Sequence, residues 1–100
     1  MSVDSEANAG TPLLPHQHVV FTDLDDEGVL VDLNARQFYQ LNETASLVWR
    51  GLANGMALVD IVREMTDTYD VPIEHARSSV ETVIGRFIAH RWVKKNQPNG

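Results

Sequence analysis

The chain has 100 residues, no cysteine and a formal net charge of −6. That length holds one domain, and the missing cysteine excludes disulfides, thiolate zinc sites and cysteine nucleophiles together. Residues 1–33 carry seven acidic and no basic side chains, whereas residues 34–100 carry eight basic against seven acidic, which disfavours nucleic acid as a partner and favours a protein or peptide.

Residues 1–17 mix Ser, Ala, Asn, Gly, Pro and acids without periodicity, the signature of a disordered tail. Within it Leu13 and Leu14, ahead of Pro15, are apolar enough to dock on the domain. The folding unit is expected over residues 18–95, with a second disordered tail at 96–100. His18 to Leu24 reads as a first strand and Asp25 to Gly28 as a turn. Val29 to Leu33 reads as a second strand, with Val29, Val31 and Leu33 on one face. Asn34-Ala35-Arg36 forms the next tight connection, Asn34 being the residue suited to a left-handed conformation. Gln37 to Leu41 alternates polar and apolar side chains and is rich in aromatics, as a half-buried third strand would be.

Asn42 offers an acceptor to the free N–H groups of a helix starting at Glu43, whose charge suits the positive helix end. Ala45, Val48, Trp49 and Leu52 follow at helical spacing, and Gly55 ends the unit. A second helix carries Leu58, Ile61, Val62, Met65 and Tyr69 and stops before Pro72. Pro72 then opens a third helix at its first turn. Its apolar stripe is Ala76, Val80, Val83, Ile84 and Phe87, it runs to Arg91, and Trp92-Val93 closes the domain. The predicted architecture is α+β: a three-stranded antiparallel sheet followed by three helices.

Candidate chemistry is sparse. Asp23-x-Asp25-x-Glu27-Gly28 imitates the start of a calcium loop, but Asn34 stands where the bidentate glutamate belongs. His16 and His18 have no third ligand at useful spacing, and His75 and His90 lie fifteen residues apart on one helix. Ser46, Ser78 and Ser79 fall inside predicted helices with no glycine elbow. No enzyme activity, metal or cofactor is expected. Trp49, Tyr69 and Phe87 read as core, and Arg77, Glu81 and Arg86 as one polar helix face. No apolar run approaches the ~20 residues that span a bilayer, and the N-terminus lacks the basic start and apolar core of a signal peptide. The expected location is the cytoplasm, with no membrane partner.

The run from Gly28 to Gly55 resembles the PqqD family, the pyrroloquinoline quinone synthesis protein D group. The telling part is Leu41-Asn42-Glu43-Thr44-Ala45, then Val48-Trp49 and Gly55. Ile61-Val62, Tyr69-Asp70-Val71 and the long final helix follow in family order, and the resemblance covers residues 18–95. Two departures stand out: Met56-Ala57 precede the second helix where the family has a Ser or Thr cap, and Arg91-Trp92 replaces its Gly-Leu ending.

The resemblance implies a winged helix-turn-helix-like domain. It would bind the leader segment of a ribosomally synthesised precursor peptide and present it to a modifying enzyme, either a radical-SAM enzyme or a leader protease as in lasso-peptide pathways. In such a fold an extended peptide adds to the exposed edge of Gln37-Phe38-Tyr39-Gln40-Leu41. Phe38, Tyr39, Val80 and Ile84 are then expected as the apolar floor, with Arg36, Arg77 and Glu81 at the rim. Helical periodicity leaves open which flank of the third helix faces that strand. Other classes compatible with the residues are a winged-helix DNA-binding regulator and a non-catalytic docking subunit of an enzyme. Against the first, Asp60, Glu64 and Asp67 outnumber Arg63 on the second helix. A monomer and a dimer paired through the strand edge are both compatible with the pattern.

Overall fold

A computed structural model describes residues 13–95 of the protein. Strands β2 (Val19–Leu24), β3 (Glu27–Asp32) and β4 (Gln37–Leu41) form an antiparallel sheet in the order β2-β3-β4. Helices α1 (Glu43–Ala53), α2 (Leu58–Tyr69) and α3 (Ile73–Ala89) follow. A second, two-stranded sheet pairs β1 (Leu13–Pro15) with β5 (Val93–Lys95), Leu14 lying opposite Lys94.

That small sheet corrects the expected domain limits. Leu13 and Leu14 do dock, and they bring Pro15 and His16 with them: the His16 N–H donates to the Trp92 carbonyl at 2.8 Å. The described domain therefore begins by Leu13, not at residue 18. The remainder of the two expected tails, residues 1–12 and 96–100, lies outside the described residues.

The β2–β3 connection is two residues, Asp25 and Asp26, with Asp25 at φ 62°, a backbone that Asp tolerates better than most residues. Between β3 and β4 the left-handed residue is Arg36 (φ 57°), not Asn34. The reason lies in Asp32, whose Oδ1 accepts from the N–H groups of Asn34 and Ala35 at 3.0 Å each. Those bonds hold the first half of the turn, so the chain reverses two residues later, where the Arg36 N–H reaches the Asp32 carbonyl.

Asn42 caps α1 as expected, accepting from the Ala45 N–H at 2.8 Å. The helix buries Leu47, Val48, Trp49 and Leu52, and Gly55 turns the chain at φ 79°. Gly51 allows α2 to approach, because a Cβ there would sit 2.8 Å from Ile61 Cγ1. No side chain caps α2, consistent with Ala57 at that position, and Asp70 ends it at φ 53°. Pro72 is the N-cap of α3 and not its first helical residue. The helix stops at Ala89, with Arg91 at φ 62° redirecting the chain into β5.

One core joins sheet and helices. Trp49 is 2% exposed and meets Phe87 edge-to-face at a centroid distance of 5.2 Å. Leu30, Leu41, Ile61, Met65, Ala76, Val80 and Ile84 belong to it. Of the aromatic pair in β4, Tyr39 points toward this side and Phe38 away, leaving Phe38 77% exposed. Among the described residues no helix is long and apolar enough to cross a membrane.

Candidate functional site: the cleft between β4 and α3

β4 is the last strand of its sheet, bonded to β3 on one side and unpaired on the other among the described residues. Which of its groups face outward follows from the register. The two-residue hairpin makes Leu24 and Glu27 a hydrogen-bonded pair, and such pairs recur at every second residue of an antiparallel ladder. The Leu33 N–H bond to the His18 carbonyl, 2.8 Å, keeps that phase at the far end of β3. Odd-numbered residues of β3 thus bond to β2, and Gly28 and Leu30 bond to their partners Leu41 and Tyr39. It follows that Phe38 and Gln40 turn their N–H and C=O groups to the open edge.

Beside that edge lies a cleft of about 540 Å³. Tyr39, Gln40 and Leu41 form its strand wall, and Asn42, Thr44 and Ala45 its end at the start of α1. The opposite wall is α3, through Ser78, Ser79, Thr82, Val83, Arg86 and Phe87, with His90 and Trp92 beyond the helix end. Leu41 and Phe87 are buried and make the floor. Trp92 is held by a hydrogen bond from its Nε1 to Asp32 Oδ2 at 3.0 Å. Its ring stacks on His90 (4.3 Å, 11°) and meets Tyr39 edge-on at 4.6 Å. One end of the cleft is therefore an aromatic corner, and the helix wall is hydroxyl-rich with a single cation, Arg86.

The expected site residues divide. Tyr39, Gln40 and Leu41 line the cleft, whereas Gln37 and Phe38 belong to the same strand outside that lining. Val80 and Ile84 sit in the core and are not among the cleft-lining residues, so they make no groove floor. Arg77 and Glu81 are exposed on α3 and also outside the lining, and Arg36 is in the β3–β4 turn. The flank of α3 that lines the cleft carries Ser79, Thr82, Val83 and Arg86, and His90 continues it past the helix end. Their spacing of three or four residues was available in the sequence, but the stripe sits one step round from the more apolar core stripe.

The other sequence candidates are not brought together. His16 and His18 have ring centroids 5.2 Å apart, and among the described residues no group of three His, Asp or Glu is placed to hold a metal ion. In the acidic hairpin, Arg50 reaches Asp23 Oδ1 at 3.3 Å and the Asp25 carbonyl at 3.1 Å. On α2, Arg63 lies 4.0 Å from Asp60, so that helix offers phosphate no free basic face.

Comparison with known proteins bears on family and fold. The family model described as "Coenzyme PQQ synthesis protein D (PqqD)" matches residues 27–93. Among solved structures, a chain of TbiB1 in complex with the TbiA(beta) leader peptide is similar at a TM-score of 0.76 and 20% identity, covering 86% of this chain and 99% of that one. A lasso peptide synthetase B1 complexed with the leader peptide gives 0.74 and 21%, covering 82% and 96%. At these identities the likeness is one of fold. No curated protein sequence matches the chain.

Proposed function

This chain belongs to the PqqD family, and from that premise we propose that it binds the leader segment of a ribosomally made precursor peptide and presents it to a modifying enzyme or leader protease. The leader adds as a fourth strand along β4, with alternate side chains entering the cleft against α3. The observation that carries the reading is the juxtaposition of an unpaired strand edge with that cleft. Outward groups of Phe38 and Gln40 supply backbone hydrogen bonds, each contributing about 0.5–1.5 kcal/mol net. Ordering a disordered leader offsets several of these, so contacts with Leu41, Val83, Phe87 and the aromatic corner supply the remainder.

In this role the protein performs no chemical step of its own. Its partner enzyme carries the chemistry, in a lasso-peptide or quinone-type pathway, and the encounter takes place in the cytoplasm where the precursor is made. The test is calorimetric titration with the leader of the precursor encoded in the same gene cluster. Gln40→Pro removes an outward donor from an edge strand, where proline is tolerated. Its fold should survive while affinity falls. Undiminished affinity in folded Gln40→Pro and Val83→Asp variants would reject strand addition at this edge.

A further inference from the structure

The helix wall of the cleft holds one formal charge, Arg86, and no acidic side chain. Arg50 is bonded to Asp23 at 3.3 Å and Arg63 approaches Asp60 at 4.0 Å. Arg77 has Glu74 and Glu81 at i−3 and i+4, the positions that meet on a helix surface. Around Arg86 the corresponding residues are Thr82, Val83, Ala89 and His90, none acidic. No carboxylate lines the cleft, and among the described residues none lies within salt-bridge distance of Arg86. In a chain of net charge −6, this side chain lines the space the leader would fill. A guanidinium fork matches a carboxylate in a bidentate pair.

We infer that the bound leader carries an Asp or Glu on its helix-facing side, read by Arg86, two residues from an apolar side chain seated against Val83 and Phe87. The inference rests on the strand-addition reading above and adds its sequence specificity. The spacing comes from element geometry. Helix-facing side chains of a strand recur every second residue, about 6.6 Å, while Val83 and Arg86, three residues apart, are offset by about 4.5 Å along the helix axis, a difference the long arginine side chain spans. A strand lying along α3 therefore offers successive inward side chains to Val83 and Arg86. Arg86 also occupies the last turn of α3, where a cation suits the helix dipole, but that structural role creates no preference in a bound peptide.

The test is selection of random displayed peptides against the full chain, its Arg86→Gln and Arg86→Glu variants, and an Arg63→Gln control, with each fold checked by circular dichroism. The wild-type and Arg63→Gln pools should be enriched in Asp or Glu at one column, two positions from an apolar column. The Arg86→Glu pool should change to Lys or Arg there. Replacing that acid by its amide should weaken binding to wild type about three- to tenfold, between an exposed ion pair and a charge-assisted hydrogen bond, and leave Arg86→Gln binding unchanged. Acid enrichment that survives in the Arg86→Gln pool, or wild-type peptides lost on Gln40→Pro that show no acid column, would overturn the role of Arg86 alone. Peptides insensitive to Gln40→Pro and Val83→Asp, or no selected peptide at all, would overturn strand addition and this inference together.

Discussion

The indole N–H of Trp92 donates to Asp32 Oδ2 at 3.0 Å, tying the chain that leaves α3 to the turn between β3 and β4. The same carboxylate accepts from Asn34 and Ala35 and lies 3.9 Å from His18 Nε2. One buried acid thus shapes the turn and orients the ring that, with Tyr39 and His90, forms the aromatic corner of the cleft. Sheet edge and helix end are held as one unit.

This arrangement makes stability depend on acid pH. The hydrogen bond from the Ala35 N–H holds the Asp32 carboxyl below its ordinary value of 3.8, against burial and with help from Trp92, Asn34 and His18. A depressed folded pKa means that the unfolded chain takes up the proton first. The contribution is therefore fully present above the ordinary value and lost as pH falls through the folded one. Thermal melts of wild type should show a component of acid destabilisation below about pH 4 that Asp32→Asn lacks, with the variant less stable at neutral pH. Parallel pH profiles for the two proteins would contradict this role.

Trp49 is a core residue, edge-on to Phe87 and beneath Phe21 at 6.4 Å. Trp49→Ala should lower unfolding stability by about 3–5 kcal/mol, measured by urea denaturation. Wild-type stability in that variant would mean that the helix buries another face.

Neighbouring positions on α3 should separate core from cleft. Ile84→Asp places a charge in the core and should unfold the domain. Val83→Asp, at a half-buried cleft position, should retain the circular dichroism of wild type and lose leader affinity. If Ile84→Asp folds and binds normally, the assignment of the two flanks is reversed.

Much of the fold was legible because local and global signals agree. Tyr39 and Leu41 alternate with polar neighbours, Asn42 caps, and Val48, Trp49 and Leu52 keep helical spacing, so strand, cap and helix were each readable. The cleft was less legible. Val80 and Ile84 are its most apolar neighbours on α3, and apolarity in the sequence marks the core before it marks a groove. Thr82, Val83 and Arg86 line the space because of the angle at which α3 packs, which periodicity does not encode. The β1–β5 pair was hidden for a different reason. Three-residue strands carry no period, and Leu13–Pro15 finds its partner some eighty residues away at Val93–Lys95.

Strand addition on β4 requires that an extended leader hydrogen-bond to the outward groups of Phe38 and Gln40. Amide exchange followed by NMR, with and without saturating leader peptide, measures this directly. In the free chain Tyr39 and Leu41, bonded to β3, should be protected, and Phe38 and Gln40 should exchange rapidly. Bound leader should slow exchange at Phe38 and Gln40 and shift the resonances of Val83 and Arg86. Unchanged exchange at both edge amides, with perturbation confined to the hairpin tip at Asp25 and Asp26, would contradict strand addition on β4.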